Sequence, residues 1–253
     1  MRTVDLNCDM GESFGAYRIG ADDAVMPFIT SANIACGFHG GDPAVMRRTI
    51  AAAKASGVAA GAHPGLQDLI GFGRRTMDVQ PEEVYDLVVY QIGALTAFAS
   101  AAGVTLQHVK PHGALYNMAA ADVELSDAIA EAVRDVDARL VLFGLAGSPM
   151  ITAGERAGLR TAQEVFADRN YMSDGSLVSR RREDAMVTEV TEAAQRALHM
   201  VREGRVRTVD GADLAIHADT ICIHGDGANA VEFARAIRAE LEGAGFAVRA
   251  MRR

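Results

Sequence analysis

The chain has 253 residues, 49% of them hydrophobic, and a formal net charge of −8 spread without a large patch. That length can bury a full core, while the acidic balance argues against nucleic acid or an anionic membrane as partner. No apolar run reads as long enough to span a bilayer, and the start MRTVDLNCDM lacks a signal-peptide core, so a cytoplasmic protein is expected.

Residues 3–8 alternate, with Val4, Leu6 and Cys8 on one face and Asp5, Asn7 and Asp9 on the other. As the first strand of a barrel this segment aims its polar face at the axis, with Asn7 and Asp9 nearest the mouth. A glycine-rich loop carrying Glu12 and Ser13 follows, then a short helix over 22–28. The apolar run 33–38 reads as a second, buried strand that stops at His39. Asp42-Pro43 then supplies a cap and first-turn proline for a helix to Ser56, which Gly57 ends.

The third strand, 58–62, runs out at His63-Pro64 and opens a long loop containing Gly71-Phe72-Gly73-Arg74-Arg75, a plausible anion clamp. Pro81 starts a strongly periodic helix closed by Gly103. The fourth strand, 105–110, sets His108 and Lys110 on one face and leads into Pro111-His112. Helices at 122–136 and after Ser148-Pro149 flank a fifth strand, 139–145. The sixth strand, 159–166, reads out to Glu164 and is followed by Asp168-Arg169 in a loop long enough to suggest function. Arg180-Arg181-Arg182 reads as the solvated start of a helix over 183–203. A hairpin around Asp210-Gly211, a seventh strand over 219–224 ending at His224, a helix over 228–242 and an extended tail over 246–250 complete the chain.

Seven strand–helix units without a low-complexity linker predict a single β/α-barrel domain over 1–253, with a doubly wound open sheet as the alternative. The barrel is preferred because only a closed ring gathers polar strand ends from the whole chain at one mouth. Those ends carry Asp9, His39, His63, Lys110, His112, Glu164, Asp168, Arg169, His224 and Asp226. One strand-end histidine is commonly a structural hydrogen-bonding group; several at equivalent crossings point to acid–base work on a small anion. Only two lysines, Lys54 and Lys110, occur among 25 basic residues, so a lysine at a strand end suggests a position that needs a compact ammonium. Cys8, Cys36 and Cys222 form no CxxC and read as buried thiols. There is no P-loop, dinucleotide fingerprint, GxSxG elbow or HExxH.

The blocks VDLNCDMGESFG, SANIACGFHGGDP, GAHPGLQDLIGFGRR, VKPHGALYN, EVFADRNYMSDGSLVSR and ICIHGD resemble the signature blocks of the LamB/YcsF family. One departure is Gly40, where that pattern leads one to expect Ala. The resemblance implies an irregular seven-stranded barrel akin to that of polysaccharide deacetylases. It also implies cleavage of 5-oxo-L-proline to L-glutamate, coupled to hydrolysis of ATP as its magnesium complex, together with two partner subunits, B and C. On that basis Asp9, His63, Lys110, His112 and Glu164 are catalytic candidates. Asn7, His39, Arg75, Asp168, Arg169 and His224 are candidates for holding substrate or phosphate. No tightly bound metal is expected. Two rival readings are a metal-dependent deacetylase or amidohydrolase using Asp9, His39 and His63, and a non-catalytic subunit that only binds the acid.

Overall fold

A computed structural model describes residues 2–223 and 229–252. Seven parallel strands close on themselves in the order β1 (Thr3–Met10), β2 (Ser31–Ala35), β3 (Ala59–His63), β4 (His108–Val109), β5 (Val141–Leu145), β6 (Arg160–Phe166) and a strand at Thr220–Ile223, which pairs back onto β1. Between β6 and that closing strand lies the hairpin β7 (Arg205–Arg207) and β8 (Asp213–Ala215), so the closing strand is β9. A short β10 (Ala247–Val248) pairs with the start of β1, outside the ring.

Helices α1 (Asp22–Val25), α2 (Pro43–Ser56), α3 (Pro81–Ala101), α4 (Gly113–Ala119), α5 (Val123–Asp137), α6 (Pro149–Arg156), α7 (Val190–Glu203) and α8 (Ala230–Gly243) accompany the strands. The Asp42 carboxylate caps α2 by accepting from Ala44 N at 2.8 Å and Val45 N at 3.0 Å, and Gly57 closes the helix in the left-handed conformation. Outward strand residues such as Leu6, Ile34, Leu142 and Val165 join inward helix residues such as Ile50, Ile92 and Ile129 in one continuous core.

The barrel interior is different, because it is largely polar. Asp5 accepts hydrogen bonds from Thr30, Ser31 and Thr220. Above it, Asn7 donates to Glu164 at 2.9 Å and accepts from Asn33 at 2.7 Å, while His108 Nε2 lies 2.8 Å from Asn33 Oδ1. Buried polar groups persist when they satisfy one another in this way. An apolar plug of Val141, Phe143 and Ala162 fills the opposite wall, with the His108 ring stacked on Phe143 at 4.3 Å. His108 fits because Gly61 faces it; a Cβ there would stand 2.2 Å from the imidazole.

Three expectations are corrected. The second strand ends at Ala35 instead of continuing to Phe38, because Gly37 (φ 101°) turns the chain and Gly37 N bonds Gly40 O. The helix expected from Glu183 is a 3₁₀ turn at Glu183–Ala185 followed by extended chain, in which Val187 N bonds Asp168 O; α7 begins only at Val190. The third concerns membrane length. Helix α3, with 21 residues, is long and apolar enough to cross a membrane by length and composition, yet Val84, Val88, Ile92 and Leu95 are buried against the rest of the chain.

Candidate active site

Parallel strands leave their carboxyl ends on one side of the ring, and alternation decides which residues face the axis there. From β1, Asp9 continues the inward row of Asp5 and Asn7. From β4, the row beginning at His108 places Lys110 opposite it. Lys110 Nζ lies 2.8 Å from Asp9 Oδ1, 3.0 Å from Glu164 Oε1 and 3.0 Å from Cys222 Sγ. Burial works to strip its charge, but the carboxylates of Asp9 and Glu164 raise its pKa well above the ordinary lysine range. The Cys222 thiol is itself held protonated, chiefly by burial.

Beside this pair is a histidine cluster. His63, ending β3, directs Nδ1 to the Lys110 carbonyl oxygen at 2.7 Å, and His112, the N-cap of α4, directs Nε2 to the Phe72 carbonyl oxygen at 2.8 Å. A carbonyl oxygen only accepts, so both of those ring nitrogens carry hydrogen. The other two, His63 Nε2 and His112 Nδ1, face each other at 3.0 Å. Asp9 Oδ2 is 3.3 Å from His63 Nε2, and Glu12 Oε1 is 3.4 Å from both His112 Nδ1 and His39 Nε2. The His39 ring stacks on His112 at 3.7 Å, with the planes 2° apart. Burial first, then neighbouring imidazoles, push the pKa values of His39 and His112 well below the usual range, so both are neutral at pH 7.

Loops hold this cluster in place. The loops after β1 and β2 close on each other through Gly41 N and Ser13 O at 3.0 Å, and a Cβ on Gly40 would stand 2.6 Å from the Glu12 carbonyl oxygen. That approach brings Glu12 to His39. The loop after β3 is tied by Asp68, which accepts from Arg75 Nε at 2.9 Å and from Gly71 N at 2.9 Å. Phe72 within it has φ 56°, the one positive value at a non-glycine among the described residues, and it presents the carbonyl that orients His112.

A cavity of about 720 Å³ opens above, lined by Asp9, His63, Lys110 and His112 on its floor and by Arg74, Arg169, Arg180 and Arg181 on its walls. Burial and the nearby Arg180 lower the Arg169 pKa to about 10, so it remains charged at pH 7, and it donates to the Val178 carbonyl at 2.7 Å.

The structure thus gathers Asn7, Asp9, His39, His63, Lys110, His112 and Glu164 into one connected network and sets Arg169 on the cavity wall. Arg75 points away, its side chain 65% exposed and engaged with Asp68; Arg74 takes the cavity position. Asp168 is buried beside Arg169 but does not line the cavity. His224 and Asp226 lie outside the described residues. The candidate set left out Glu12, Asn33 and Cys222, and from the anion clamp read at Arg74-Arg75 it took only Arg75. The alternation of β2 and β9 is a signal for Asn33 and Cys222; Glu12 and Arg74 sit on loops, where no periodicity reports direction. Arg180 and Arg181, read as merely solvated, also face the cavity.

Fold and site together define a closed parallel β/α-barrel protein with a buried acid–base constellation at the carboxyl ends of its strands. The chain belongs to the LamB/YcsF family, whose model matches residues 4–253. It is 63% identical over 250 residues to a protein of Bacillus licheniformis named as the A subunit of 5-oxoprolinase, covering 99% of each chain. A protein of the same name from Bacillus subtilis is 60% identical over 251 residues, covering 99% of this chain and 98% of the relative. The crystal structure of a lactam utilization protein from Thermus thermophilus superposes with a TM-score of 0.93 at 51% identity, over 98% of this chain and all of that one.

Proposed function

We propose that this chain is the A component of an ATP-dependent 5-oxoprolinase, opening 5-oxo-L-proline to L-glutamate in a complex with two further subunits, B and C. The reading is carried by one observation, that relatives near 60% identity along the whole chain bear that name; the arginine-walled cavity supports it, since it suits a small anionic lactam.

A lactam carbonyl resists water because its nitrogen donates into it. Transfer of the ATP γ-phosphoryl group, delivered as the magnesium complex, to the carbonyl oxygen makes the ring carbon electrophilic. Water adds to that carbon, the C–N bond breaks with a proton delivered to nitrogen, and the resulting acyl phosphate is hydrolysed to glutamate and phosphate. Arg74 and Arg169 bind the substrate carboxylate and the phosphoryl oxygens, where charge-assisted hydrogen bonds are strongest. Lys110 supplies positive charge where the oxygen becomes anionic. The His63–His112–Asp9 group directs the water, and Glu164 with Asn7 keeps Lys110 in place.

The test is glutamate release from 5-oxoproline, with and without ATP, by the chain alone and with its B and C partners. Glutamate formed only with ATP and partners is the expected result. None from a verified complex overturns the reading.

A further inference from the structure

His63 Nε2 and His112 Nδ1 stand 3.0 Å apart, and in the neutral tautomers that the Lys110 and Phe72 carbonyls select each presents a lone pair. Two lone pairs at that distance repel unless something positive lies between them or beside them. A carboxylate oxygen lies beside each nitrogen, Asp9 Oδ2 at 3.3 Å from His63 Nε2 and Glu12 Oε1 at 3.4 Å from His112 Nδ1. Ligand atoms from Glu12, His39, His63 and His112 all lie within 4.8 Å of one another, and all four residues are buried. Four donors about 2.0–2.1 Å from a tetrahedral metal stand about 3.3–3.4 Å from each other, and the His63–His112, Asp9–His63 and Glu12–His112 pairs, at 3.0, 3.3 and 3.4 Å, are close to that spacing.

We propose that His63 Nε2, His112 Nδ1, Glu12 Oε1 and Asp9 Oδ2 bind one divalent ion of the zinc class. Imidazole and carboxylate donors suit such an ion. His39 is the orienting neighbour. Its ring is parallel to His112, so a centre shared by both would lie well out of both ring planes, where no lone pair points. Instead its Nε2 faces Glu12 Oε1 at 3.4 Å. The carbonyls of Lys110 and Phe72 fix the ligating tautomers from behind, the arrangement that metal-bound histidines require. This set shares only Asp9 and His63 with the metal set weighed from the sequence, and it stands against the expectation of no tightly bound metal.

Binding of the ion follows from geometry alone, whereas its use to activate the ring-opening water rests on the oxoprolinase reading. The experiment is therefore a metal count. The full chain, purified without added metal and stripped with chelator, is titrated with Zn²⁺, and bound metal is measured by mass spectrometry; Co²⁺ provides a visible spectrum of the same site. One equivalent per chain is expected. Glu12→Gln and His112→Gln should weaken binding about 100-fold or more, beyond what changes behind a ligand cost, whereas His199→Gln and His217→Gln on the surface should not change it. Circular dichroism identifies any variant that fails to fold, and the Co²⁺ spectrum of the unaltered chain is independent of the variants. Failure of the unaltered chain to take up Zn²⁺ or Co²⁺ means that a proton bridges the two histidines, and the proposal falls. It falls equally if the folded Glu12 and His112 variants bind as the parent does. A metal count of one with no glutamate formed would leave this site standing and remove the oxoprolinase reading.

Discussion

Lys110 Nζ and Asp9 Oδ1 meet at 2.8 Å across the barrel axis, from strands separated in the ring by two others. Only closure of the ring lets the ends of β1 and β4 touch, so this ion pair reports that the barrel is shut. It also fixes the floor of the cavity.

Replacing Lys110 with Met removes the ammonium and leaves Asp9 and Glu164 facing each other without their shared cation. Breaking a buried ion pair from one side costs about 3–5 kcal/mol. The expected outcome is loss of coupled glutamate release in the assembled enzyme, with a lowered urea midpoint but a folded chain at 25 °C. Near-parental activity would remove Lys110 from the mechanism.

Arg169→Ala should act on affinity more than on the maximal rate, since its guanidinium borders the cavity without touching the floor network. A KM for 5-oxoproline raised about tenfold or more, equivalent to one lost charge-assisted hydrogen bond, with kcat changed less, is the expected split. A fall in kcat at constant KM would place Arg169 among the groups that act in the transition state instead.

Stability should fall in mild acid. Burial lowers the His108 pKa to about 3, with Lys110 and His63 adding to the effect. A histidine depressed in the folded state binds its proton more readily in the unfolded chain. Its stabilising contribution is therefore intact above the unfolded pKa of about 6.5 and is lost as pH falls toward 3, at up to about 1.4 kcal/mol per pH unit. His39 and His112 shift in the same direction. Asp5, raised chiefly by burial, shifts in the sense that opposes them. Thermal midpoints that decline from pH 7 to pH 5, with a shallower decline for His108→Gln, would bear this out; a flat profile would refute it.

Gly61→Ala tests the packing of the barrel interior. The new methyl group would meet the His108 ring, which is held between Gln107 Oε1 and Asn33 Oδ1 and stacked on Phe143. Overpacking of this kind costs about 1–3 kcal/mol. A urea midpoint unchanged from the parent would mean that the ring has room to move.

Asp68→Asn loosens the loop that presents the Phe72 carbonyl and Arg74. Arg75 holds the Asp68 carboxyl at a pKa of about 2, and removal of that charge should lower kcat/KM about tenfold while the thermal midpoint moves by only a few degrees, because the Arg75 side chain is largely exposed.

The alternation of residues 3–9 determined that Asp5, Asn7 and Asp9 share one face, and a parallel strand wrapped outside by apolar helices has nowhere to put that face except the barrel axis. The same period-two rule set Lys110 above His108, and the Asp42-Pro43 and Gly57 signals bounded α2. These features depend on neighbours one to four residues apart, which is the range a sequence pattern encodes. Tertiary structure alone decided that Glu12 reaches His39 and His112, that Arg75 turns to Asp68 while Arg74 faces the cavity, and that His63 Nε2 and His112 Nδ1 face each other. Each of those depends on where a loop comes to rest, and that is set by contacts with distant segments, such as Gly41 on Ser13 and Ala114 on Gly73, which form only once the ring has closed.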